Sequence, residues 1–319
     1  MVSVIVPARD AGATLGRTLQ ALCAQRIDEP YEVIVVDDGS TDTTAAIARA
    51  AGSPVRLITM PPLGPAAARN CGVQAAGGTR LAFCDADVFP APDWLAAGCG
   101  ALAGADLVQG RVTPDPLAMP GPFDRSLHID GAVGLWETAN LFVTRDLFTR
   151  AGGFEQWIAP WRGKALAEDV WFGHRALRAG GRAEFCPDAL AHHAVHLRGP
   201  WAYATERARL RFFPAMTARM PELRSSFLHR RWFLNRRTAR LDLALGAAAI
   251  GALARPSGRR AWPALTAALP YLLAVRAASA RAPHAGPSRA TIAAVDVAAD
   301  LIGAGALAYG SVRYRAPVL

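Results

Sequence analysis

Cysteine is scarce in this sequence, and the few cysteines do not form paired motifs. There are five among 319 residues, an odd number, and no C-x-x-C motif occurs. Disulfide scaffolds need an even set of cysteines, and cysteine-based zinc sites are built on closely spaced pairs. Neither kind of protein is therefore expected, and a reducing cytosol is the predicted compartment.

Charged residues are also few, at 19%, whereas hydrophobic residues make up 52% of the chain. This balance excludes a disordered chain, because ample apolar surface is available for a core. The 29 glycines and 23 prolines are near their average share, which excludes collagen-like and low-complexity sequences. A chain of this length is expected to form two structural units at most.

Long hydrophobic runs are missing as well, and a signal peptide is not expected. Met1–Pro7 has no basic residue and is typical of a buried strand rather than of a signal peptide. Three charge-free segments near the C-terminus are shorter than the ~20 residues needed to span a bilayer: Leu243–Ala254, Ala261–Val275 and Leu301–Val312. We therefore predict helices lying in the membrane interface or a short re-entrant hairpin, with a soluble helical subdomain as the alternative.

Two nucleotide-binding motifs are absent. No G-x-G-x-x-G follows the first apolar run, where Pro7–Asp10 stands instead, and the chain has no G-x-x-x-x-G-K. The sequence therefore excludes a dinucleotide-dependent oxidoreductase of the usual kind and a P-loop enzyme.

Positive charge is concentrated in one segment. Between Arg198 and Arg240 there are eleven arginines and two acids, an excess that equals the net charge of the whole chain, +9. Such a segment can contact nucleic acid, an anionic membrane surface or a phosphorylated ligand, or it can be a solvated helical face. We predict peripheral attachment to the cytoplasmic leaflet of a membrane.

Strand and helix patterns alternate along the first part of the chain. Buried strands are predicted over residues 2–6, 32–36, 55–59, 80–84 and 183–186, the last ended by a turn at 187–188, and helices over residues 13–25, 43–51, 64–76 and 170–179. This alternation predicts an α/β fold with a mostly parallel, Rossmann-like central sheet. Because the carboxyl ends of parallel strands share one edge, Pro7–Asp10, Asp37–Ser40 and Asp85–Asp87 are expected to converge on one pocket.

Acidic pairs and one arginine near these strand ends are the candidate chemical groups. Asp85 and Asp87 present hard oxygen ligands, which suit a divalent cation that also takes the oxygens of a diphosphate. Asp37 and Asp38 can accept hydrogen bonds from a base or a ribose hydroxyl, and Arg69 can face phosphates. Each motif alone has an ordinary alternative, namely a turn, a helix cap and a surface salt bridge.

Taken in order, the motifs resemble those of one family. They are Val2–Asp10, Asp37–Ser40, Ala68–Gly72, Phe83–Asp87, Gly152–Glu155, the pair Glu168-Asp169 and a late histidine. This succession covers roughly residues 1–200 and is similar to that of the family 2 glycosyltransferases, which have the glycosyltransferase-A fold.

The resemblance implies a nucleotide site and a metal site. The nucleotide site would comprise Pro7, Ala8, Arg9, Asp10, Asp37, Asp38, Arg69 and Asp85. Arg9 stands where many relatives carry an aromatic residue, and its guanidinium can stack on the base in the same way. Asp87, Asp85 and His193 would hold Mn²⁺ or Mg²⁺; His192 is the alternative ligand, and a buried structural histidine is the other interpretation.

On the acceptor side, the resemblance implies that Asp169 is the base that takes the proton of the attacking hydroxyl. Glu168 would orient Asp169 or contact the acceptor. The alternative is a helix start at which Asp169 complements the helix dipole. Trp157, Trp161 and Trp171 could form a platform for a sugar or lipid acceptor, or belong to the core.

Together with the residues above, the resemblance implies a metal-dependent, inverting transfer of a sugar from a nucleoside diphosphate, with UDP expected, to a lipid-linked or soluble hydroxyl acceptor. Residues 1–200 would be catalytic, with a nucleotide-binding half over about 1–90 and an acceptor half over about 91–200. Residues 201–240 would be a basic amphipathic segment and 241–319 an apolar helical tail, on the inner face of the cell membrane. The alternatives are a non-catalytic membrane scaffold and, less favoured because it leaves the strand-end acids unexplained, a nucleic-acid-binding protein.

Overall fold

The computed structural model of the protein describes residues 1–158, 166–254, 262–280 and 287–319. The chain divides into two compact units. The first comprises Met1–Met119 and Ser126–Val195, and the second comprises Pro120–Arg125 and His196–Leu319.

The first unit is built on an eight-stranded mixed sheet. Its strands are β1 (Val2–Ala8), β2 (Tyr31–Asp38), β3 (Val55–Met60), β4 (Arg80–Cys84), β5 (Val88–Pro90), β6 (Leu107–Pro114), β7 (Asn140–Thr144) and β8 (Ala183–His193). They lie in the order β3-β2-β1-β4-β7-β6-β8-β5. The first four strands in this order are parallel, whereas β7 is antiparallel to both of its neighbours. The predicted α/β fold is confirmed.

Six helices accompany these strands in the described part of the first unit. They are α1 (Leu15–Cys23), α2 (Thr44–Ala50), α3 (Pro65–Ala75), α4 (Trp94–Ala101), α5 (Arg145–Arg150) and α6 (Glu168–Arg178). The predicted helices and strands are therefore present, with ends that differ by at most two residues, except that β8 extends well beyond residue 186.

Both faces of the sheet are covered, as the continuous apolar strands require. Along β1, Val4 and Val6 belong to one buried cluster, whereas Ile5 belongs to another. Successive side chains of a strand point to opposite faces, so the two clusters lie on opposite sides of the sheet. This double burial holds the carboxyl ends of the central strands in place.

One predicted turn is wrong. The sequence suggests that a strand ends at Pro187-Asp188, but β8 continues through both residues to His193. The pairing of β8 with β6 instead shifts register between Gly110 and Arg111. A register irregularity accommodates residues that cannot continue regular pairing, and proline is one of these because it has no N–H.

The second unit is helical in its described part. It contains α7 (Pro200–Glu206), a 3₁₀ helix (Arg207–Phe212), α8 (Phe213–Arg219), α9 (Leu223–Ser226), α10 (Arg236–Ala254), α11 (Trp262–Ala280) and α12 (Arg289–Tyr314). Half-buried charges join three of these helices. Arg237 Nε of α10 donates to Asp300 Oδ2 of α12 at 2.6 Å, and the Tyr271 hydroxyl of α11 donates to the same oxygen at 2.8 Å.

Helix α12 is longer than the charge-free segment from which it was predicted. It has 26 residues because the helix continues through Asp296 and Asp300. By length and composition it is the one helix among the described residues that could cross a membrane. Asp296 also lies 3.4 Å from Arg237, so both acids of α12 are paired inside the helical unit.

Candidate active site

The strand order brings three loops to one edge of the sheet. β1 lies between β2 and β4, and all three strands are parallel. Ala8 is in register with Asp37, and Ile5 with Phe83, so the segments after these strands leave the sheet side by side. The segments that were predicted to converge therefore leave the sheet at one edge, which is where ligands bind in open α/β sheets.

Asp10 links the loop after β1 to the loop after β2 by hydrogen bonds. Its backbone N–H donates to Ser40 Oγ at 2.9 Å, and its Oδ1 accepts from the backbone N–H of Thr41 at 2.8 Å. Asp10 has a φ of 47°, a left-handed conformation that short polar side chains tolerate through such local hydrogen bonds. Before it, Pro7 is half-buried and Ala8 is buried. The two loops therefore form one structure.

The two acids that end β2, Asp37 and Asp38, are buried and accept hydrogen bonds from backbone N–H groups. Asp37 Oδ1 accepts from the N–H of Ser40 at 3.0 Å. Asp38 accepts from the N–H groups of Leu63 and Gly64 at 2.7 and 3.0 Å, and its side chain is 4% exposed. A carboxylate has about four lone-pair sites, so a further donor such as a base N–H can still bind Asp38. Arg9 is half-exposed, with its Nη1 4.0 Å from Asp38 Oδ2.

Arg69 joins two parts of the site that are far apart in sequence. Its two terminal nitrogens lie 3.0 Å from Asp85 Oδ1 and 3.0 Å from Glu168 Oε1. Helix α3 brings Arg69 there by packing closely on β1, since a Cβ at Gly72 would lie only 2.6 Å from Ile5 Cγ2. The guanidinium is buried, and the surrounding carboxylates outweigh the opposing effect of burial and raise its pKa. Arg69 therefore remains charged.

The carboxylates around Arg69 outnumber this single cationic side chain. Burial raises the pKa of Asp85, with a further contribution from the nearby Asp87 carboxylate, while Arg69 acts in the opposite direction. A site in which carboxylates repel one another in this way favours an additional cation.

Asp87 and His193 face each other with a geometry that suits such a cation. His193 Nε2 lies 3.5 Å from Asp87 Oδ2, while its Nδ1 lies 2.6 Å from the carbonyl oxygen of Ala194. A carbonyl can only accept, so Nδ1 carries a proton, and Nε2 is the ring nitrogen that faces the carboxylate. A bonded Nδ1–H that fixes the ring is the usual arrangement of a metal-binding histidine.

His192 points elsewhere. It precedes His193 on β8, so its side chain projects from the opposite face of the strand. Its Nδ1 lies 2.9 Å from Thr113 Oγ1, and burial lowers its pKa. Of the two histidines that sequence reasoning left open, His193 is the one that lies against Asp87.

Asp169 lies in the first turn of α6, next to the Arg69–Glu168 pair. Burial raises its pKa well above the ordinary aspartate value, and the neighbouring Glu168 adds to this, whereas Arg69 opposes it. Asp169 Oδ1 accepts from the N–H of Val170 at 2.8 Å. A carboxylate with a raised proton affinity at a fixed position can serve as a general base.

Sequence reasoning missed Glu137. Burial raises the pKa of Glu137, and its charge contributes to the raised pKa of Asp169. The preceding Trp136 packs on α6, since a Cβ at Gly173 would lie 2.2 Å from the indole ring. His174 Nε2 also lies 3.1 Å from the carbonyl oxygen of Gly134. No local motif marks Glu137, because tertiary packing alone brings this loop to α6.

Trp157 and Trp171 lie near the start of α6. Trp157 Nε1 donates to the carbonyl oxygen of Ala167 at 2.9 Å, and Trp171 Nε1 donates to Glu155 Oε2 at 2.8 Å. The two ring centroids are 6.4 Å apart. Trp161 lies outside the described residues. Both described rings are half-buried, and the acceptor platform stays a prediction.

Comparison with known proteins gives a consistent result. The sequence profile described as Glycosyl transferase family 2 matches residues 3–115. The chain is 31% identical over 207 residues to glycosyltransferase AglE of Haloferax volcanii, covering 60% of this chain and 66% of that protein. It is 38% identical over 109 residues to a validoxylamine A glucosyltransferase of Streptomyces hygroscopicus, covering 33% of this chain and 26% of that protein. The chain thus spans less than two thirds of the length of these relatives.

A solved structure matches over more of the chain. The mannosyltransferase PcManGT from Pyrobaculum calidifontis, in complex with GDP-Man and Mn²⁺, has a TM-score of 0.60 and 25% sequence identity, and the match covers 95% of this chain and 86% of that one. The ordered motifs, the strand order and these likenesses agree: residues 3–115 form a family 2 glycosyltransferase domain, and the chain has the glycosyltransferase-A fold.

Proposed function

We propose that the protein is a metal-dependent, inverting glycosyltransferase that uses a nucleoside diphosphate sugar. The observation that carries this proposal is the Arg69 bridge between Asp85 and Glu168. It joins the strand-end acids, which suit a metal and a diphosphate, to the helix turn that carries Asp169. Inverting transfer needs both elements in one place, because the leaving diphosphate and the attacking hydroxyl act on the same anomeric carbon.

Asp87, Asp85 and His193 would hold the metal. Their oxygen and nitrogen donors fit Mn²⁺ or Mg²⁺, and the bonded Nδ1 of His193 leaves Nε2 as a ligand atom. When bound, the cation would supply Lewis-acid stabilisation of the charge on the leaving diphosphate. The Mn²⁺ in the Pyrobaculum complex supports this role without deciding between the two metals.

The hydrogen-bonded loops after β1 and β2 would bind the nucleotide. Pro7, Ala8 and Asp10 would line the base pocket, Asp38 or Asp37 would contact the base, and Arg9 would stack on it. UDP is the proposed carrier, and a GDP sugar is the main competitor because the Pyrobaculum protein is complexed with GDP-Man. Neither Asp38 nor Arg9 discriminates between these bases by charge.

Asp169 would take the proton from the acceptor hydroxyl, with Glu168 and Arg69 holding its helix turn in place. Its raised pKa favours this role, since a base accepts a proton more readily when its own proton affinity is high. The acceptor would be a hydroxyl compound, lipid-linked or soluble. We propose a cytoplasmic location on the inner face of the cell membrane, supported by the exposed leucines of α10 and α11.

A donor screen tests the function. Thermal unfolding of the full chain is measured with UDP, GDP and their sugars, each with and without Mn²⁺. The correct nucleotide should raise the Tm by several degrees in the presence of metal, because ligand at about 100 Kd adds about 2.7 kcal/mol to the free energy of unfolding. Absence of any nucleotide-dependent shift would contradict donor binding. A shift without donor hydrolysis or transfer would favour the non-catalytic scaffold.

Glu137 offers a second test, through the pH dependence of turnover. Its carboxylate helps to keep the pKa of Asp169 raised, so Glu137→Gln should lower that pKa. A base must be deprotonated to act, and the acidic limb of the kcat–pH profile should therefore move to lower pH. The matched control is Glu184→Gln, an exposed glutamate on β8. An unchanged profile in Glu137→Gln would show that Glu137 does not act on the base.

A further inference from the structure

Exposed arginines crowd one end of the helical unit, where α10 begins and α12 ends. We call this surface the arginine end. It comprises the exposed side chains of Arg230, Arg231, Trp232, Arg236, Val312, Arg313 and Arg315. The sequence contains no Asp or Glu between Leu223 and Leu241 or between Leu301 and Leu319. The surface is therefore strongly positive.

Hydrogen bonds hold the parts of this surface together. His229 and Phe233 pair across a tight turn, with N–H···O distances of 2.9 and 3.1 Å. Leu319 N donates to the carbonyl oxygen of Trp232 at 2.7 Å. Arg224 donates to the carbonyl oxygens of Arg231 and Pro317 at 3.1 and 3.0 Å. The turn and the segment that follows α12 are thus one rigid structure.

The turn itself is strained. Arg230 and Arg231 have φ values of 50° and 69°, two consecutive left-handed positions in a hairpin turn. Such turns strongly favour Asn-Gly, because a branched or long side chain is disfavoured in this conformation. Arginine at both positions therefore destabilises the folded state, and local strain of this kind is found at functional sites.

Other arginines of the basic segment have internal roles. Arg198 and Arg209 both pair with Glu206, and Arg237 pairs with Asp296 and Asp300. These pairs account for part of the positive charge predicted for the segment. The two arginines at the turn tip, in contrast, are exposed and directed by a rigid backbone.

Apolar side chains accompany the charges. Trp232 is 50% exposed and Val312 is 81% exposed. Arg224 lies over the Trp232 ring at 5.1 Å, which fixes the indole beside the turn. An amphipathic indole and long basic side chains are the residues that sit at the headgroup level of a bilayer.

We propose that the arginine end is a docking surface for an anionic phospholipid bilayer, with Arg230 and Arg231 on headgroup phosphates and Trp232 and Val312 entering the interface. The exposed aliphatic side chain of Val312 favours lipid over nucleic acid, because nucleic acid offers phosphates and bases but no apolar layer. The inference rests on the membrane location proposed above and assigns the surface that would make the contact.

The test uses the full-length protein and vesicles of phosphatidylcholine with or without phosphatidylglycerol. Arg231→Gln should weaken partitioning onto the anionic vesicles about fivefold, as expected for one interfacial arginine. The matched control is Arg289→Gln, an exposed arginine at the other end of α12, about 36 Å from Arg313. This control should bind as the unchanged protein does.

A double variant separates function from stability. Arg230→Asn with Arg231→Gly relieves the strained turn, so its Tm should be equal to or above that of the unchanged protein while partitioning falls about thirtyfold. Equal binding by all variants would overturn the assignment of the arginine end alone. Failure of the unchanged protein to bind anionic vesicles would overturn the membrane location as well.

Binding to a DNA duplex and donor hydrolysis are measured for the same proteins. Tighter binding to a DNA duplex than to anionic vesicles, weakened by Arg231→Gln, would also overturn the proposal. Donor hydrolysis should be unchanged in Arg231→Gln, because Arg231 belongs to the second unit and the site described above is formed by residues of the first unit. Failure of the transferase function would appear in that assay for the unchanged protein, independently of vesicle binding.

Discussion

Asp87→Ala is expected to abolish metal-dependent donor turnover while the protein still folds. Asp87 faces His193 at the end of the central sheet, and its side chain is 28% exposed rather than packed in the core. The backbone carbonyl of residue 87, which accepts from Ala194 N at 2.9 Å, is kept in the variant. Loss of the Lewis acid removes several kcal/mol of stabilisation, so turnover should fall about 10³-fold.

Mn²⁺ titration calorimetry and donor hydrolysis measure this effect, with thermal unfolding as the check on folding. Asp28→Ala is the matched control, since Asp28 is an exposed aspartate before β2 and thus at the opposite edge of the sheet. The control should keep both metal binding and turnover. Wild-type turnover in Asp87→Ala would mean that the metal, if required, is held by other residues.

Asp169→Asn is expected to separate chemistry from binding. Asparagine keeps the shape of the side chain and can still accept from the Val170 N–H, but it cannot take the acceptor proton. Donor affinity should therefore survive, and kcat should fall by ~10² or more. A loss of donor affinity with nearly unchanged kcat would assign Asp169 to binding instead.

The thermal stability of Asp169→Asn provides a second, independent measurement. Because the folded protein raises the pKa of Asp169, the folded state loses stability as the pH rises from the ordinary aspartate range through that raised pKa. Asp169→Asn should therefore raise the Tm at neutral pH, and this gain should vanish as the pH falls into the ordinary aspartate range. Asp146→Asn is the control, because Asp146 also lies in a first helical turn but is exposed and paired with Arg150.

Some strands of the sheet are determined by adjacent residues, and others depend on pairing with distant parts of the chain. The strands β1, β2 and β4 were predictable because apolar residues form continuous runs that end at proline or aspartate. The extension of β8 through Pro187 was not, because it depends on pairing with β6 and β5, which are distant in sequence. The antiparallel β7 was missed for the same reason.

The candidate site shows the same division. Asp85, Asp87 and Asp169 were identified from short motifs, whose order along the chain is a property of the sequence. The contact of Arg69 with both Asp85 and Glu168 could not be predicted, since it joins residues 16 and 99 positions apart. Glu137 carries no motif at all, and only the packing of Trp136 on α6 brings it to Asp169.

By itself, the sequence determined the fold class, the family and the acids of the strand ends, because apolar periodicity and short motifs act over a few residues. The tertiary structure alone decided which groups meet. It distinguished His193 from His192 through the alternation of side chains along β8. It paired Arg237 with acids of α12 and left Arg230 and Arg231 exposed on a strained turn. Charge and burial depend on neighbours in space, and the chain brings those neighbours together only by folding.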